Sequence, residues 1–239
     1  MNLALLSAGD LTGDNTARLT GRRRDHLVTV LKASEGDPLP VGLEDGPMGT
    51  GTINRLTNEA AELTLTLDQS APAPLPLTLV LAMPRPKMFR RVLQTVASLG
   101  IKDIWLINSY KVEKSFWQTP WLQPEHLREN LVLGLEQAMD TAMPRVHIRQ
   151  RFKPFVEDEL PALLTDRPGL VAHPGTSTPC PVNLNRPATL CIGPEGGFIP
   201  YEVAKLVEAG CQDIHLGPRI LRVETAVPVL VSRLYDPCQ

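Results

Sequence analysis

Two stretches decide the fold of this chain: Cys191-Ile192-Gly193-Pro194-Glu195-Gly196-Gly197-Phe198 and Leu216-Gly217-Pro218-Arg219-Ile220-Leu221-Arg222-Val223-Glu224-Thr225-Ala226. We call them the first and the second glycine loop. The first follows a β-like segment at residues 188–192, and the second follows one at residues 213–216. The segments behind them, residues 201–208 and 226–235, have helical patterns. Two strand–loop–helix units predict a ligand held on loop backbone at the carboxyl edge of a parallel sheet.

The glycine pattern differs from that of the common phosphate-binding loops. A P-loop closes with Lys-Ser or Lys-Thr, and the dinucleotide fingerprint requires G-x-G-x-x-G; neither occurs here. The first glycine loop carries Glu195 and no cation, which suits a neutral or positively charged ligand better than a pyrophosphate. S-adenosylmethionine, an adenosine that carries a sulfonium, has this character. The alternative is that the glycines only permit tight turns.

The amino-acid sequences of the two glycine loops resemble those of a known family. G-P-E-G-G-F and L-G-P-R-I-L-R-V-E-T-A are similar to the signature of the RsmE-type ribosomal RNA uridine N3-methyltransferases, which belong to the trefoil-knotted SPOUT class. Weaker similarities are found at His26–Lys32, Gln94–Ile101, Glu136-Gln137 and His173-Pro174. The chain departs from the family pattern at Thr95, Ser98 and Asp140, where the family has Lys, Glu and Arg. These departures bear on the target nucleotide more than on the cofactor.

The resemblance implies an enzyme that uses S-adenosylmethionine to methylate N3 of a specific uridine in 16S ribosomal RNA, within the assembling small subunit and in the cytoplasm. It implies no metal, and it implies a homodimer, which the apolar stripe Val229, Leu230 and Leu234 of the last helix also favours. The expected cofactor-binding residues are His173, Pro174, Ile192, Gly193, Pro194, Glu195, Gly196, Gly197, Leu216, Gly217, Ile220, Leu221, Arg222, Thr225 and Ala226.

Three alternatives remain open at this point. The chain could methylate a different RNA nucleotide, or it could be an α/β protein that binds an adenosine nucleotide for another reaction. It could also be a non-catalytic RNA-binding factor with a vestigial cofactor pocket.

Methylation of uridine N3 sets two chemical demands. The methyl group must be held in line with N3, and the charge that develops on the uracil oxygens must be stabilised. We expect Arg222 to be the electrostatic partner, and Glu195 and Glu224 to be the candidate bases. The alternative for either carboxylate is to cap a loop or to pair with Arg222. Thr225 is also expected to be a helix N-cap, with Pro228 in the first turn.

The run Ala71-Pro-Ala-Pro-Leu-Pro76 predicts a semi-rigid linker. Residues 1–70 are predicted to form a small β domain, which the resemblance implies is a PUA-like RNA-binding β-barrel. Its expected strands are 2–6, 37–42, 49–54 and 61–67, with a helix over 26–33. Residues 77–239 alternate strands (77–82, 103–107, 169–172, 188–192) with helices (88–99, 124–139), which predicts an α/β domain with a parallel sheet. A SPOUT trefoil knot is implied there by the resemblance.

Basic residues cluster in a chain whose net charge is −2. Between residues 84 and 114, seven Lys or Arg residues face only two acids, with Tyr110, Phe116 and Trp117 nearby. Cations contact phosphates and aromatic rings stack on unpaired bases, so this region is a candidate RNA surface. The predicted RNA-binding residues are Arg22, Arg23, Arg24, Lys32, Arg85, Lys87, Arg90 and Arg91. The alternative is that the two basic clusters are solvent-exposed faces without a role in RNA binding.

Composition excludes several classes. The chain has no run of about 18 apolar residues, so no membrane span is predicted. Its first ten residues lack the basic and apolar regions of a secretory signal. Cys180, Cys191, Cys211 and Cys238 lack C-x-x-C spacing, which predicts reduced thiols without zinc or disulfides.

Overall fold

The computed structural model describes residues 1–236 of the chain, and Cys238 lies outside them. The described residues form two compact units. The first holds Met1–Ala73 and Leu131–Met143; the second holds Pro74–Asn130 and the residues from Pro144 onward. Each unit contains a six-stranded sheet, mixed in the first and parallel in the second, so the fold is α/β.

The first sheet has the strand order β1-β4-β5-β6-β3-β2. Its strands are β1 (Ala4–Leu6), β2 (Leu11–Gly13), β3 (Thr16–Thr20), β4 (Pro38–Leu43), β5 (Met48–Leu56) and β6 (Ala60–Gln69). β1 and β4 pair in parallel and the other pairs are antiparallel. Leu63 and Leu65 of β6 are buried while Glu62 and Thr64 are exposed, as the alternating pattern predicted.

The helix of the first unit differs from its predicted position. Helix α1 spans Gly21–Thr29, whereas the sequence predicted residues 26–33. It begins earlier because its arginines are good helix formers with partners in the unit, which an apolar pattern cannot reveal. It ends earlier because Lys32 adopts a left-handed conformation, with φ of 53°.

The segment Leu131–Met143 is anchored to the first unit by backbone hydrogen bonds. The amides of Asn2 and Leu3 both donate to the Glu136 carbonyl oxygen at 3.0 Å. The Asp45 amide donates to the Thr141 carbonyl oxygen at 2.8 Å. Helix α3 (Pro124–Ala138) therefore contributes its later turns to the first unit.

The second sheet has the strand order β12-β10-β11-β7-β8-β9, with every pair parallel. Its strands are β7 (Leu75–Ala82), β8 (Ile101–Ile107), β9 (Arg145–Arg149), β10 (Gly169–Ala172), β11 (Ala188–Ile192) and β12 (Cys211–Ile214). β7 and β11 are almost wholly buried, as continuous apolar runs predict. Because all six strands point the same way, the loops that follow β10, β11 and β12 emerge at one edge.

Among the described residues, five helices lie wholly in the second unit, which also holds the beginning of α3. They are α2 (Pro86–Ser98), α4 (Phe152–Pro154), α5 (Leu160–Leu163), α6 (Pro200–Glu208) and α7 (Val223–Leu234). A π-helical turn, Phe155–Glu159, joins α4 to α5. α2 buries Phe89, Val92, Leu93 and Val96 and packs against α7. Leu230 and Leu234 of α7 are fully buried within the protomer, so that stripe already has an intramolecular partner.

Sequence analysis missed β2, β3, β9 and the helical segment 152–163. β2 and β3 are short and flank the turn at Asp14 and Asn15, and β9 alternates charged with half-buried residues. The segment 152–163 is interrupted by Pro154 and Pro161. Of the residues described, none belongs to a helix long and apolar enough to cross a membrane.

Candidate functional site

A cavity of about 290 Å³ lies in the second unit where β10, β11 and β12 end. This is the lower end of the range for small-molecule sites, about 300–1,000 Å³. The ends of the three strands and both glycine loops supply most of its wall. The lining residues are Lys111, Ala172, His173, Pro174, Ile192, Gly193, Pro194, Glu195, Gly196, Gly197, Phe198, Ile214, His215, Leu216, Gly217, Arg219, Ile220, Leu221, Val223, Ala226 and Leu230.

The first glycine loop is a tight turn that brings its backbone to the cavity. The Gly197 amide donates to the Pro194 carbonyl oxygen at 2.7 Å, and Gly197 has a φ of 68°. A Cβ atom at Gly193 would lie 2.8 Å from the backbone nitrogen of Phe198. Phe198 is buried, so this nitrogen has little room to move. The loop therefore requires glycine at 193 for space and at 197 for conformation.

The second glycine loop is shaped by a histidine. The Gly217 amide donates to Nδ1 of His215 at 2.8 Å, which leaves the ring proton on Nε2 when the ring is neutral. Gly217 has a φ of 106°. Beyond it, Ile220 is 78% exposed although it lines the cavity. The cavity mouth thus carries an apolar rim on this side.

Helix α7 begins differently from the prediction. Arg222 is its N-cap, and the amides of Thr225 and Ala226 donate to the Arg222 carbonyl oxygen at 3.0 and 2.7 Å. The prediction of Thr225 as N-cap is therefore wrong, because the helix starts at Val223. Pro228 lies inside the helix and not in its first turn.

His173 forms the third wall of the cavity. Its amide donates to the Ile214 carbonyl oxygen at 2.9 Å, which extends the pairing of β10 with β12. Its Nδ1 atom is buried and has no hydrogen-bond partner. A buried ring nitrogen without a partner in a cavity wall is the kind of atom that a polar ligand satisfies.

Most of the predicted cofactor residues come together here. All of them line the cavity except Arg222 and Thr225. Sequence analysis did not assign Lys111, Phe198, His215 and Arg219 to the cavity. Phe198 and Arg219 stood within the quoted loops, so proximity to the glycines could have indicated them. Lys111 lies far away in sequence, and nothing in the glycine pattern pointed to it.

The three predicted catalytic residues have distinct surroundings. Glu195 accepts a hydrogen bond from the Arg85 amide at 3.0 Å, at the start of α2, where a helix N-terminus favours a carboxylate. Arg222 is 85% exposed, and its guanidinium lies 4.0 Å from Glu224, whose side chain is 23% exposed. Glu195 thus has the capping contact that was considered as its alternative role, and Glu224 pairs with Arg222.

The predicted RNA-binding arginines of the first unit make contacts within that unit. Arg22 forms an ion pair with buried Glu136 at 2.7 Å. Arg23 donates to the Leu5 carbonyl oxygen at 2.7 Å and pairs with Asp10. Arg24 donates to the Thr57 carbonyl oxygen at 2.9 Å. These arginines therefore stabilise the first unit, whatever else they bind. The fourth predicted RNA-binding residue of this unit, Lys32, is exposed.

The predicted RNA-binding residues of the second unit are mostly exposed. Arg85, Lys87 and Arg91 are exposed at the start of α2. Arg90 is half-buried, and its guanidinium stacks at 4.2 Å on the Trp121 ring. This region keeps a cationic surface of three side chains.

Two further observations concern metal and thiol chemistry. No group of three or more His, Cys, Asp or Glu side chains within residues 1–236 is arranged to hold a metal ion. Cys180, Cys191 and Cys211 are buried free thiols. Burial raises the pKa of the Cys180 thiol, so this thiol remains protonated at neutral pH.

Curated proteins similar to this chain share one name. The ribosomal RNA small subunit methyltransferase E of Treponema pallidum is 30% identical over 206 residues, which is 84% of this chain and 77% of that protein. The protein of the same name from Synechocystis is 27% identical over 242 residues, covering 98% and 77% of the two chains.

A solved structure and a family match extend this likeness. The crystal structure of the Neisseria gonorrhoeae ribosomal RNA small subunit methyltransferase E, bound to S-adenosyl methionine, superposes with a TM-score of 0.76 at 21% identity. The superposition covers 97% of this chain and 95% of that one. Residues 71–235 match the family described as RNA methyltransferase domain. This chain therefore belongs to the RNA methyltransferase domain family, among the ribosomal RNA small subunit methyltransferases E.

Proposed function

We propose that this protein transfers a methyl group from S-adenosylmethionine to N3 of a specific uridine in 16S ribosomal RNA, in the cytoplasm and during assembly of the small subunit. The observation that carries the proposal is the cavity at three parallel strand ends, most of whose lining residues belong to the two glycine loops. Membership of an RNA methyltransferase family supports the reaction class, and the names of the relatives support the small-subunit substrate.

The residues present fit S-adenosylmethionine. Glycine at 193 lets the loop close on the Phe198 amide, and glycine at 197 permits the positive φ, so that the first glycine loop keeps its shape at the cavity. The unpartnered Nδ1 of His173 can accept a hydrogen bond from an adenosine amino or hydroxyl group. We assign the cofactor to residues 192–197 and 216–221 with His173 and Pro174. When bound, the cofactor supplies a methyl group on a positively charged sulfur.

The catalytic roles follow from position at the cavity mouth. Arg222 directly follows the cavity-lining Leu221, and from there its guanidinium can reach a uracil oxygen of the RNA. Of the two candidate bases only Glu195 lines the cavity, but its carboxylate already accepts from the Arg85 amide; we therefore assign the base to Glu224, beside Arg222. The exposed Arg85, Lys87 and Arg91 are proposed to contact RNA phosphates.

We propose a homodimer on a different ground from the helix stripe. Ile220 and Leu221 are exposed apolar side chains at the mouth of the cavity, where a second copy of the chain could cover them. Sedimentation of the purified protein at micromolar concentration should give twice the mass of the chain. Ile220→Glu should shift it toward monomer; a fully active monomeric wild type would contradict the dimer.

The architecture implied by the family likeness is also a proposal. We infer that residues 1–70 form a PUA-like RNA-binding β-barrel and that 71–76 is the linker, whose last two residues, Leu75 and Pro76, already belong to β7. Residues 77–239 then form a SPOUT domain whose terminal loops are threaded as a trefoil knot. The order β1-β4-β5-β6-β3-β2 and the parallel second sheet are compatible with this arrangement.

The direct test uses purified protein, cofactor with a labelled methyl group, and small-subunit particles or RNA that lack the modification. Nucleoside mass spectrometry of the digested RNA should find N3-methyluridine at a single position. A different methylated nucleoside would contradict the proposed target. Calorimetric preference for ATP over S-adenosylmethionine would contradict the proposed cofactor.

A further inference from the structure

The segment Ser109–Lys111, which follows β8, is tied to the first glycine loop from outside. Buried Glu202, in the first turn of α6, accepts hydrogen bonds from the Tyr110 amide at 2.7 Å and from the Ser109 hydroxyl at 3.2 Å. The same carboxylate accepts a bond from the Ile199 amide at 3.0 Å, at the end of the glycine loop. One buried group therefore fixes this segment and the glycine loop relative to each other.

Lys111 reaches from this segment into the cavity wall. Its Nζ donates to the Gly196 carbonyl oxygen at 2.6 Å, and a Cβ atom at Gly196 would lie 2.8 Å from the Lys111 Cδ atom. The absent side chain at Gly196 thus provides the room for the lysine stem. An ammonium group has three donors, and the Gly196 oxygen uses one of them. Two donors remain for a ligand at the cavity.

The charged side chains around the cavity differ in how firmly they are held. The Glu195 carboxylate is bound to the Arg85 amide, and Arg222 is 85% exposed with one loose ion pair at 4.0 Å. Arg219 is exposed on the second loop. The Lys111 side chain is exposed as well, but its ammonium group donates to the Gly196 carbonyl oxygen and the preceding Tyr110 amide donates to Glu202. Electrostatic stabilisation of a transition state is strongest from groups that are already in place.

We propose that Lys111 is a catalytic residue, whose ammonium donates a hydrogen bond to a carbonyl oxygen of the target uracil as N3 loses its proton. This proposal rests on the proposed function. Uracil N3 lies between two carbonyl groups, and both share the charge of the N3 anion. Lys111, beside the first glycine loop, and Arg222, in the second, would each serve one oxygen.

Methyl transfer to N3 moves one proton and two electron pairs. The N3 proton passes to the base, which we assign to Glu224, and from there to solvent. The N3 electron pair forms the new bond to the methyl carbon, and the carbon–sulfur bond breaks with its electron pair remaining on sulfur. The sulfur becomes a neutral thioether, the uracil regains a neutral ring, and Lys111 keeps its proton throughout.

Two non-catalytic roles for Lys111, a structural brace and a phosphate contact, predict results that differ from those of the catalytic role. As a brace for Gly196, it would act on cofactor affinity. As a contact to an RNA phosphate, it would act on RNA affinity and on the salt dependence of RNA binding. As a stabiliser of the ionised uracil, it would act on turnover at saturating cofactor and RNA.

The experiment compares Lys111→Met and Lys111→Arg with a matched control, Lys153→Met, which removes an exposed cation of α4 that neither lines the cavity nor belongs to a predicted RNA surface. For Lys111→Met we expect turnover to fall about 100- to 1000-fold, as for loss of one charge-stabilising donor. Cofactor affinity by calorimetry and the salt slope of RNA binding should stay near wild type. Lys111→Arg should keep turnover within about tenfold, and Lys153→Met should be unchanged.

Several results would overturn the assignment. Collapse of cofactor binding with normal turnover at saturation would make Lys111 a brace. A raised KM for RNA with a shallower salt slope and normal turnover would make it a phosphate contact. A large turnover loss in Lys111→Arg equal to that in Lys111→Met would contradict a charge-based role. Wild-type protein that forms no N3-methyluridine refutes the proposed function instead, so the two failures are distinguishable.

Discussion

Replacing Gly193 with alanine tests the idea that the first glycine loop needs glycine at this position to keep its shape, and that cofactor binding needs this shape. The new Cβ atom would lie 2.8 Å from the Phe198 nitrogen and 3.2 Å from the Gly197 carbonyl carbon. Ordinary contact begins at 3.4 Å, so the loop must open by roughly 0.6 Å, the difference between 3.4 and 2.8 Å. The first two atoms are backbone and the third is Cδ2 of the buried Phe198 ring, also at 3.2 Å, so no flexible side chain can absorb the change.

The size of the effect follows from what overpacking costs. Such changes cost about 1–3 kcal/mol in a packed environment. If that cost falls on the bound loop, cofactor affinity drops by about 5- to 140-fold, since about 1.4 kcal/mol corresponds to a factor of ten. If it falls on the free protein instead, the melting temperature drops by a few degrees, at about 2–4 °C per kcal/mol for a chain of this size.

Titration calorimetry with S-adenosylmethionine, together with thermal unfolding without cofactor, separates these two costs. Gly9→Ala is the matched control, because its Cβ atom would meet only the Ser7 hydroxyl oxygen at 3.8 Å, in the first unit. We expect weaker cofactor binding in Gly193→Ala and wild-type behaviour in the control. Unchanged affinity and unchanged melting temperature in Gly193→Ala would refute the role given to this loop.

Three further outcomes are expected. Arg222→Lys keeps the charge but loses the planar guanidinium, so methyl transfer should fall about 100-fold or more with little change in cofactor affinity; collapsed affinity with normal turnover would make Arg222 a brace. Tyr235→Phe should lower stability by about 1–2 kcal/mol, because the buried hydroxyl donates to backbone carbonyl oxygens. Burial raises the pKa of Tyr235 to about 12, above its ordinary value of 10.0, so wild type should lose stability as pH rises from 10 toward 12 and the variant should lack that loss. Asp10→Asn should lower the free energy of unfolding by about 1.5–3 kcal/mol at pH 7. Burial raises the pKa of Asp10, but hydrogen bonds from Arg23 and Ser7 outweigh burial and hold the pKa below 3.8. In acid titrations of stability, the difference between variant and wild type should therefore disappear as the pH falls below 3.8.

The second unit was largely predictable because its elements carry strong patterns. The strands Gly169–Ala172 and Ala188–Ile192 have the predicted bounds, since short apolar runs between turn residues leave little choice. The family resemblance drawn from the two loops is confirmed by the match over residues 71–235. Parallel pairing then brings residues distant in sequence, such as His173 and Gly217, to one cavity.

Contacts with a distant partner could not be predicted from the sequence. The RNA-binding role of Arg22 and Arg23 stays a prediction, but nothing in their basic run indicated that both pair with acids from other segments. Nor did the sequence indicate that Lys111 bonds to Gly196 while its neighbour Tyr110 bonds to Glu202. Hydrophobic periodicity carries no information on such polar pairings, because they are set by tertiary contacts.

The central claim is tested most directly in cells. Small-subunit RNA from cells that lack the gene should be digested and mapped by mass spectrometry, alongside RNA from the parent and from cells with the gene restored. One N3-methyluridine should disappear on deletion and should return with the wild-type gene but not with the Lys111→Met variant. A full complement of N3-methyluridine in the deletion strain, or loss of a different modification, would contradict the central claim.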